Sequence, residues 1–105
     1  MMVVMMMMMM MILEQNSTKI IELYKGPNGF GFSIVGGYES MHGNLPICVS
    51  KIIPNGSASI DGRLQKGDIL LTVNGIDLNG LTHDEVVDIL KNIDGECQLL
   101  ILNGR

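Results

Sequence analysis

The sequence contains few of the residues that build metal or redox sites. Among 105 residues there are two cysteines, two histidines and no tryptophan. Cys48 and Cys97 each lie in an apolar run and not in a C-x-x-C pair. This pattern predicts buried, reduced thiols, with a disulfide or a metal site as the alternative. His42 and His83 are far apart, and no cysteine stands at zinc-finger spacing from them. We expect no metal and no other cofactor.

Basic residues are also scarce. Seven Lys and Arg against 11 Asp and Glu give a formal net charge of −4 at pH 7. Nucleic-acid binding needs a basic face, and an anionic membrane attracts a basic cluster. The composition therefore predicts neither of these partners, and the length predicts a single domain with its own core.

The motifs of the common catalytic classes are missing as well. The segment Gly31–Val35, GFSIV, lacks the last glycine of a nucleophile elbow, and there is no G-x-x-x-x-G-K-[ST] phosphate loop. The segment Asp77-Leu78-Asn79-Gly80 departs at once from a calcium-binding loop. We therefore predict that the chain is not an enzyme.

Methionine is abundant, but only at the N-terminus. Nine of the ten methionines lie in Met1–Met11, within the apolar tract MMVVMMMMMMMIL of residues 1–13. A membrane-spanning helix needs about 20 apolar residues, and a signal peptide needs a basic start and a small-residue cleavage site. We interpret residues 1–17 as a low-complexity tail. Weak membrane contact or self-association through residues 1–13 is the alternative, although we do not expect direct membrane contact there.

Residues 18–103 alternate between turn signals and short apolar runs, which predicts the order β-β-β-short α-β-β-α-β. The predicted strands are Lys19–Tyr24, Phe30–Gly36, Ile47–Ile53, Ile69–Val73, Ile76–Leu78 and Glu96–Leu102. A polar loop is expected from Gly37 to Pro46, a helical turn over Ser57–Arg63 and a hairpin turn at Asn74-Gly75. We expect a mainly β (α+β) fold, a six-stranded antiparallel sandwich or partly open barrel capped by two helices.

The second helix is the most clearly specified element. Thr82 and Glu85 have the spacing of a capping box, which predicts a helix from His83 to about Ile93. Asp94-Gly95 is expected to end it, with the glycine in the left-handed conformation at C′.

Two segments suggest a binding site. The glycines around Phe30 in Gly29-Phe30-Gly31-Phe32 allow successive N–H groups to converge into an anion-binding nest, surrounded by apolar side chains. His83, Val87 and Leu90 share one helix face at i, i+4 and i+7. An extended peptide lying between this face and the strand after the glycines would add a strand to the sheet.

Four segments of the chain resemble PDZ domains, in the right order and spacing. Gly29–Phe32 resembles the carboxylate-binding loop of that family, and Phe32–Gly37 resembles its second strand. Leu64–Gly75 and Leu81–Lys91 resemble the central segment and the second helix. The resemblance covers residues 18–103 and implies the PDZ-like form of the fold described above. Ser33–Ile47, with Tyr38 and His42, is similar to domains of InaD-like multi-PDZ scaffolds.

The resemblance implies a role for each site residue. The amides of Phe30, Gly31 and Phe32 would bind a terminal carboxylate, and Lys25 matches a basic position that acts through water. Alternatively, Lys25 is an ordinary exposed loop lysine. The pocket for the last ligand side chain would be formed by Phe30, Phe32, Ile34, Val87 and Leu90.

His83 matches the helix-start histidine of class I domains, whose ring nitrogen accepts a hydrogen bond from a Ser or Thr two residues before the ligand's end. Ser33 would contact the residue before that one. The implied ligand ends in Ser/Thr-x-hydrophobic-COOH.

The resemblance also implies where the chain acts. We expect a monomeric scaffold or adaptor domain in the cytoplasm, at the inner face of the plasma membrane or at cell junctions. Its partners would be C-termini of membrane receptors, channels or junction proteins, with only indirect membrane contact. A regulatory module of a larger enzyme, such as a protease, is a competing interpretation.

Overall fold

The computed structural model describes residues 18–40 and 43–103, and leaves undescribed the side chains of residues 39, 40, 43 and 44. The predicted tail, residues 1–17, and His42 lie outside the described residues. The strands are β1 Thr18–Tyr24, β2 Phe32–Ser40, β3 Gly43–Ile52, β4 Ile69–Val73, β5 Ile76–Asp77 and β6 Glu96–Leu102. The helices are α1 Ser57–Asp61 and α2 His83–Asn92. In the described part of the chain, no helix is both long and apolar enough to cross a membrane.

The strands form one antiparallel sheet in the order β1-β6-β4-β3-β2, with β5 paired to β4. β1 runs against the whole of β6, from the pair Thr18 and Leu102 to the pair Tyr24 and Glu96. β1 and β2 are the two edges, so the sheet is open and not a closed barrel. The predicted six-stranded antiparallel architecture with two helices is confirmed.

The region between β2 and β3 differs from the expectation. β2 begins at Phe32 rather than Phe30 and continues to Ser40, while β3 begins at Gly43 rather than Ile47. The polar loop predicted from Gly37 to Pro46 was therefore wrong. Its backbone pairs across the hairpin, as Gly37 with Leu45 shows. Strand pairing satisfies backbone groups whatever the polarity of the side chains, so a polar segment can still extend a ladder.

The core follows the two-residue period of the strands. Ile21 and Leu23 in β1 are buried, as are Cys97, Leu99 and Ile101 in β6. Burial raises the pKa of the Cys97 thiol to about 11, because a thiolate loses its hydration there. The expectation of buried cysteines thus holds fully for Cys97, whereas Cys48 is only half-buried.

The turn and helix signals are confirmed with one exception. Asn74 and Gly75 both have positive φ, 50° and 79°, as a type I′ hairpin turn requires. The capping box of α2 is complete: the Glu85 N–H donates to Thr82 Oγ1 at 3.2 Å, and the Thr82 N–H donates to Glu85 Oε1 at 3.0 Å. The helix, however, ends at Asn92 with extended backbone at Ile93. Gly95 has a φ of 83° but lies two residues beyond this cap, so it is not the C′ residue.

Gly36 and Gly62 provide a matched test of the β2–β3 hairpin, since both have positive φ, 92° and 82°. A Cβ at Gly36 would lie 2.1 Å from the Pro46 carbonyl oxygen, whereas a Cβ at Gly62 would meet nothing within 4 Å. Gly62→Ala should cost about 1–2 kcal/mol of backbone strain. Gly36→Ala should cost about 1–3 kcal/mol more through the clash. Urea denaturation measures both; equal losses would contradict the packing described for the hairpin.

Candidate functional site

A cleft of about 430 Å³ lies between β2 and α2. All nine residues predicted for the site line it: Lys25, Phe30, Gly31, Phe32, Ser33, Ile34, His83, Val87 and Leu90. Gly29, part of the predicted loop, also lines it, and sequence reasoning missed three further lining residues, Asn28, Ile53 and Lys91. Ile53 was visible as the last residue of a predicted strand, but only its pairing with Gly31 brings it to the cleft. The N–H of Ile53 donates to the Gly31 carbonyl at 2.8 Å.

At one end of the cleft, the loop before β2 presents free amides. The carbonyls of Phe30 and Gly31 accept from the N–H groups of Ala58 and Ile53, at 3.0 and 2.8 Å. Both carbonyls are thus bonded to the protein, and Gly31 has a φ of 82°, which is favourable for glycine. The N–H groups of Phe30 and Gly31 donate to no protein acceptor among the described residues. Two neighbouring donors are therefore available to a ligand, as an anion-binding nest requires.

Further along β2, the backbone of Ile34 also faces the cleft. Its partner in the ladder is Val49. The N–H and carbonyl of Val49 bond instead to Asp68 and Gly67 on the other side of β3, each at 2.8 Å. Ile34 is therefore in a non-hydrogen-bonded pair, and its own N–H and carbonyl point to the open edge. His83 Nε2 lies 3.1 Å from this carbonyl oxygen.

The cleft has apolar walls. Phe30 and Ile34 are 7% and 9% exposed, so most of their surface packs in the core. Phe32, Val87 and Leu90 are half-buried and pack against that core from the two sides of the cleft. The walls can therefore receive a hydrophobic side chain next to the free amides.

The end of the cleft nearest His83 is closed by backbone contacts. The Tyr38 N–H donates to the Leu81 carbonyl at 2.8 Å, and Tyr38 forms a bridge with Thr82. Gly37 has a φ of 114°, and a Cβ there would lie 2.6 Å from the backbone nitrogen of His83. Only glycine allows β2 to approach the start of α2 this closely.

The other end is held by Lys25. Its N–H donates to the Gly95 carbonyl at 2.8 Å, and its Nζ donates to the carbonyls of Lys91 and Ile93 at 2.6 and 2.9 Å. A cation is favourable at this end of a helix, where carbonyls are unpaired and the dipole is negative. Lys25 is half-buried and so is not an ordinary exposed lysine. Two of its three ammonium donors are used here, and one remains.

A second cleft, of about 620 Å³, lies where β3 and β4 diverge. Leu45, Ile69 and Leu78 are among its lining residues, and the titratable side chains that line it are Tyr38 and Asp77. The smaller cleft combines unpaired amides, a histidine and apolar walls, so we assign the functional site to it. The described residues contain no group of three or more His, Cys, Asp or Glu able to hold a metal ion.

The fold and this cleft are those of a protein-interaction domain, and comparison with known proteins identifies its family. The sequence profile of the PDZ domain matches residues 20–102. The chain therefore belongs to the PDZ domain family, a family of peptide-binding interaction modules.

The similarity to individual proteins agrees with membership of this family. The chain is 53% identical over 85 residues to the human Multiple PDZ domain protein, covering 81% of this chain and 4% of that protein. It is 55% identical over 74 residues to Disks large homolog 2 of Rattus norvegicus, covering 69% of this chain and 9% of that protein. It thus spans less than a tenth of these relatives. The crystal structure of Dlg1 PDZ2 from Monosiga brevicollis matches with a TM-score of 0.75 and 38% identity, over 81% of this chain and 97% of that one.

Lys25→Met should lower the stability of the domain, because it removes the cation from the C-terminal carbonyls of α2. We expect a loss of about 1 kcal/mol, typical of a charge at a helix terminus. Thermal unfolding measures this loss. The control is Lys66→Met, which removes an exposed lysine in the turn before β4. An equal effect of the two substitutions would mean that Lys25 does not hold the loop to the helix.

Proposed function

We propose that this cleft receives the free C-terminus of a partner protein, as a strand added to β2, and prefers ligands ending in Ser/Thr-x-hydrophobic-COOH. The observation that carries the proposal is the pair of unpaired amides at Phe30 and Gly31, adjacent to an apolar pocket. A carboxylate attached to a hydrophobic side chain satisfies both features at once.

The carboxylate would lie on the amides of Phe30, Gly31 and Phe32. Backbone N–H groups bind an anion more strongly than a neutral acceptor. The remaining ammonium donor of Lys25 supports the same anion through water, since Lys25 lines this end of the cleft. An amidated or extended C-terminus would lose the charge or the space that this arrangement needs.

The last ligand side chain would enter between β2 and α2, among Phe30, Phe32, Ile34, Val87 and Leu90. Burying a Val or Leu side chain contributes about 1.5–3 kcal/mol. Strand pairing and carboxylate capture add to this, while ordering the peptide opposes it. Micromolar affinity, about −8 kcal/mol, is expected of so small an interface.

Two further side chains would contact the ligand upstream of its C-terminus. The contact of His83 with the Ile34 carbonyl supports a position for its imidazole beside the ligand residue two before the end. A Ser or Thr there would donate its hydroxyl proton to the ring. Ser33 is exposed next along β2 and would contact the ligand residue three before the end.

We infer that the chain acts by binding and not by catalysis. The contacts of the His83 ring are the Ile34 carbonyl and the Asp84 carboxylate, so the ring activates no nucleophile in the described cleft. A scaffold or adaptor role fits, since one relative's name, Multiple PDZ domain protein, describes several such domains in one chain. The proposed partners are the C-termini of membrane receptors, channels or junction proteins, met by a cytoplasmic monomer at the inner face of the plasma membrane or at cell junctions.

The test is a titration with a labelled peptide ending Glu-Thr-Ala-Val, as the free acid, as the C-terminal amide and with one extra C-terminal glycine. The acid should bind with micromolar Kd, and the other two should bind at least about tenfold more weakly, since a charged hydrogen bond is lost or blocked. Equal binding of acid and amide would contradict carboxylate capture. If no form bound, a peptide with Val in place of the Thr would decide between a wrong ligand class and a wrong site.

A further inference from the structure

The ring of His83 contacts the edge of β2. Its Nε2 lies 3.1 Å from the carbonyl oxygen of Ile34. A carbonyl oxygen has no proton to donate, so Nε2 must carry the hydrogen in this contact. The other ring nitrogen, Nδ1, lies 3.5 Å from Oδ1 of Asp84.

This arrangement conflicts with peptide binding at two atoms. An added strand needs the Ile34 carbonyl as an acceptor for its own backbone N–H, because this carbonyl points to the open edge. Recognition of a hydroxyl needs Nε2 as an acceptor, and a protonated Nε2 cannot accept. The contact therefore occupies one group that the proposed ligand needs and inverts the hydrogen-bonding role of another.

We propose that the bond from His83 Nε2 to the Ile34 carbonyl, the His83 latch, closes the groove in the free protein and is opened selectively by ligands with a hydroxyl. On binding, Nε2 releases its proton to water and Nδ1 takes one from water, so the ring remains neutral. The ligand hydroxyl then donates to Nε2, and its backbone N–H takes over the Ile34 carbonyl. This inference rests on the proposed function and concerns the regulation of the same cleft.

Asp84 is a positioning residue in this exchange. Its carboxylate faces Nδ1, so it favours the tautomer with a proton on Nδ1, which is the tautomer that leaves Nε2 free to accept. Its side chain is 98% exposed, so water screens the interaction and its contribution is small.

The latch both favours ligands with a hydroxyl and disfavours ligands without one. A ligand with Thr replaces the bond that it breaks. A ligand with Val at the same position breaks the latch and leaves Nε2 without a partner, which is a penalty against the wrong ligand. A histidine that only recognised hydroxyls would carry no such penalty.

His83→Ala separates these two cases, using free-acid peptides ending Glu-Thr-Ala-Val and Glu-Val-Ala-Val. Removal of the latch should weaken the Thr peptide and tighten the Val peptide, each by about two- to tenfold, the range of one net hydrogen bond. Unchanged or weaker binding of the Val peptide would overturn the latch. The acid-to-amide ratio of each peptide is measured in parallel. Its retention would show that only the latch has failed, whereas its loss would show that the proposed function has failed.

Imidazole ¹⁵N NMR of the unsubstituted chain tests the tautomers directly. Signals of His83 are assigned by their absence from His83→Ala. The free protein should show the proton on Nε2, and the complex with the Thr peptide should show it on Nδ1. A proton that remains on Nε2 in the complex would overturn the proposal, since the Ile34 carbonyl would then be sharing two donors. A proton on Nδ1 alone in the free protein would also overturn it, since the latch would then have no donor.

Asp84→Asn has a matched control in Asp88→Asn, which removes another exposed carboxylate one turn further along α2. Asp84→Asn should weaken both peptides by about two- to threefold, the range of an exposed pair, because both must open the latch that Asp84 disfavours. Asp88→Asn should change neither. Equal effects of the two substitutions would reject the positioning role and reduce Asp84 to a general charge effect.

Discussion

The groove exists because β2 and α2 are joined at two ends and held apart between them. At one end the Tyr38 N–H bonds directly to the Leu81 carbonyl. At the other, Lys25 bonds to the last carbonyls of α2 through its side chain and to Gly95 through its amide. A helix satisfies its own backbone groups internally, so α2 cannot pair with the edge of β2 along the distance between. The edge therefore keeps free donors and acceptors, and these need either water or a ligand strand.

An unpaired edge strand is normally a hazard, because it pairs with any other edge that it meets. β1 and β2 are such edges at the two ends of the strand order, and their surroundings differ. At β1, the Arg63 guanidinium donates to the Glu22 carbonyl at 3.2 Å and is itself held by Asp61. That contact holds the pKa of the Asp61 carboxyl below its usual value, since the hydrogen bond favours the charged form. At β2, the helix stands beside the edge, with the cleft of about 430 Å³ between them. One edge is thus covered in part by Arg63, and the other remains open to the cleft.

The features that sequence could reveal were local ones. β4 and β6 have their predicted limits, and the start of α2 follows from the spacing of Thr82 and Glu85. The nine predicted residues that line the cleft could be named in advance because Gly31 and the helix face of His83 carry patterns within a few neighbouring positions. What could not be read was the partner of Lys25, since its ammonium bonds to carbonyls 66 and 68 positions away. Backbone carbonyls have no residue identity, so no sequence pattern marks them as acceptors.

The direction of the backbone groups was hidden for a related reason. In a regular strand, residues two apart bond to the same neighbour. Val49 lies in β3 and Ile53 directly follows the strand, four residues later. Ile53 nevertheless bonds toward β2, whereas Val49 bonds toward the other side of β3. The side toward which alternate residues of β3 bond changes at the register shift between Ser33 and Ile34, where β3 contributes one extra residue. This irregularity turns the groups of Val49 toward the Asp68 side of the sheet and leaves those of Ile34 without a strand partner. A bulge thus leaves the Ile34 carbonyl free to accept from His83. No glycine or proline lies between Val49 and Ile53, so the sequence did not indicate the bulge.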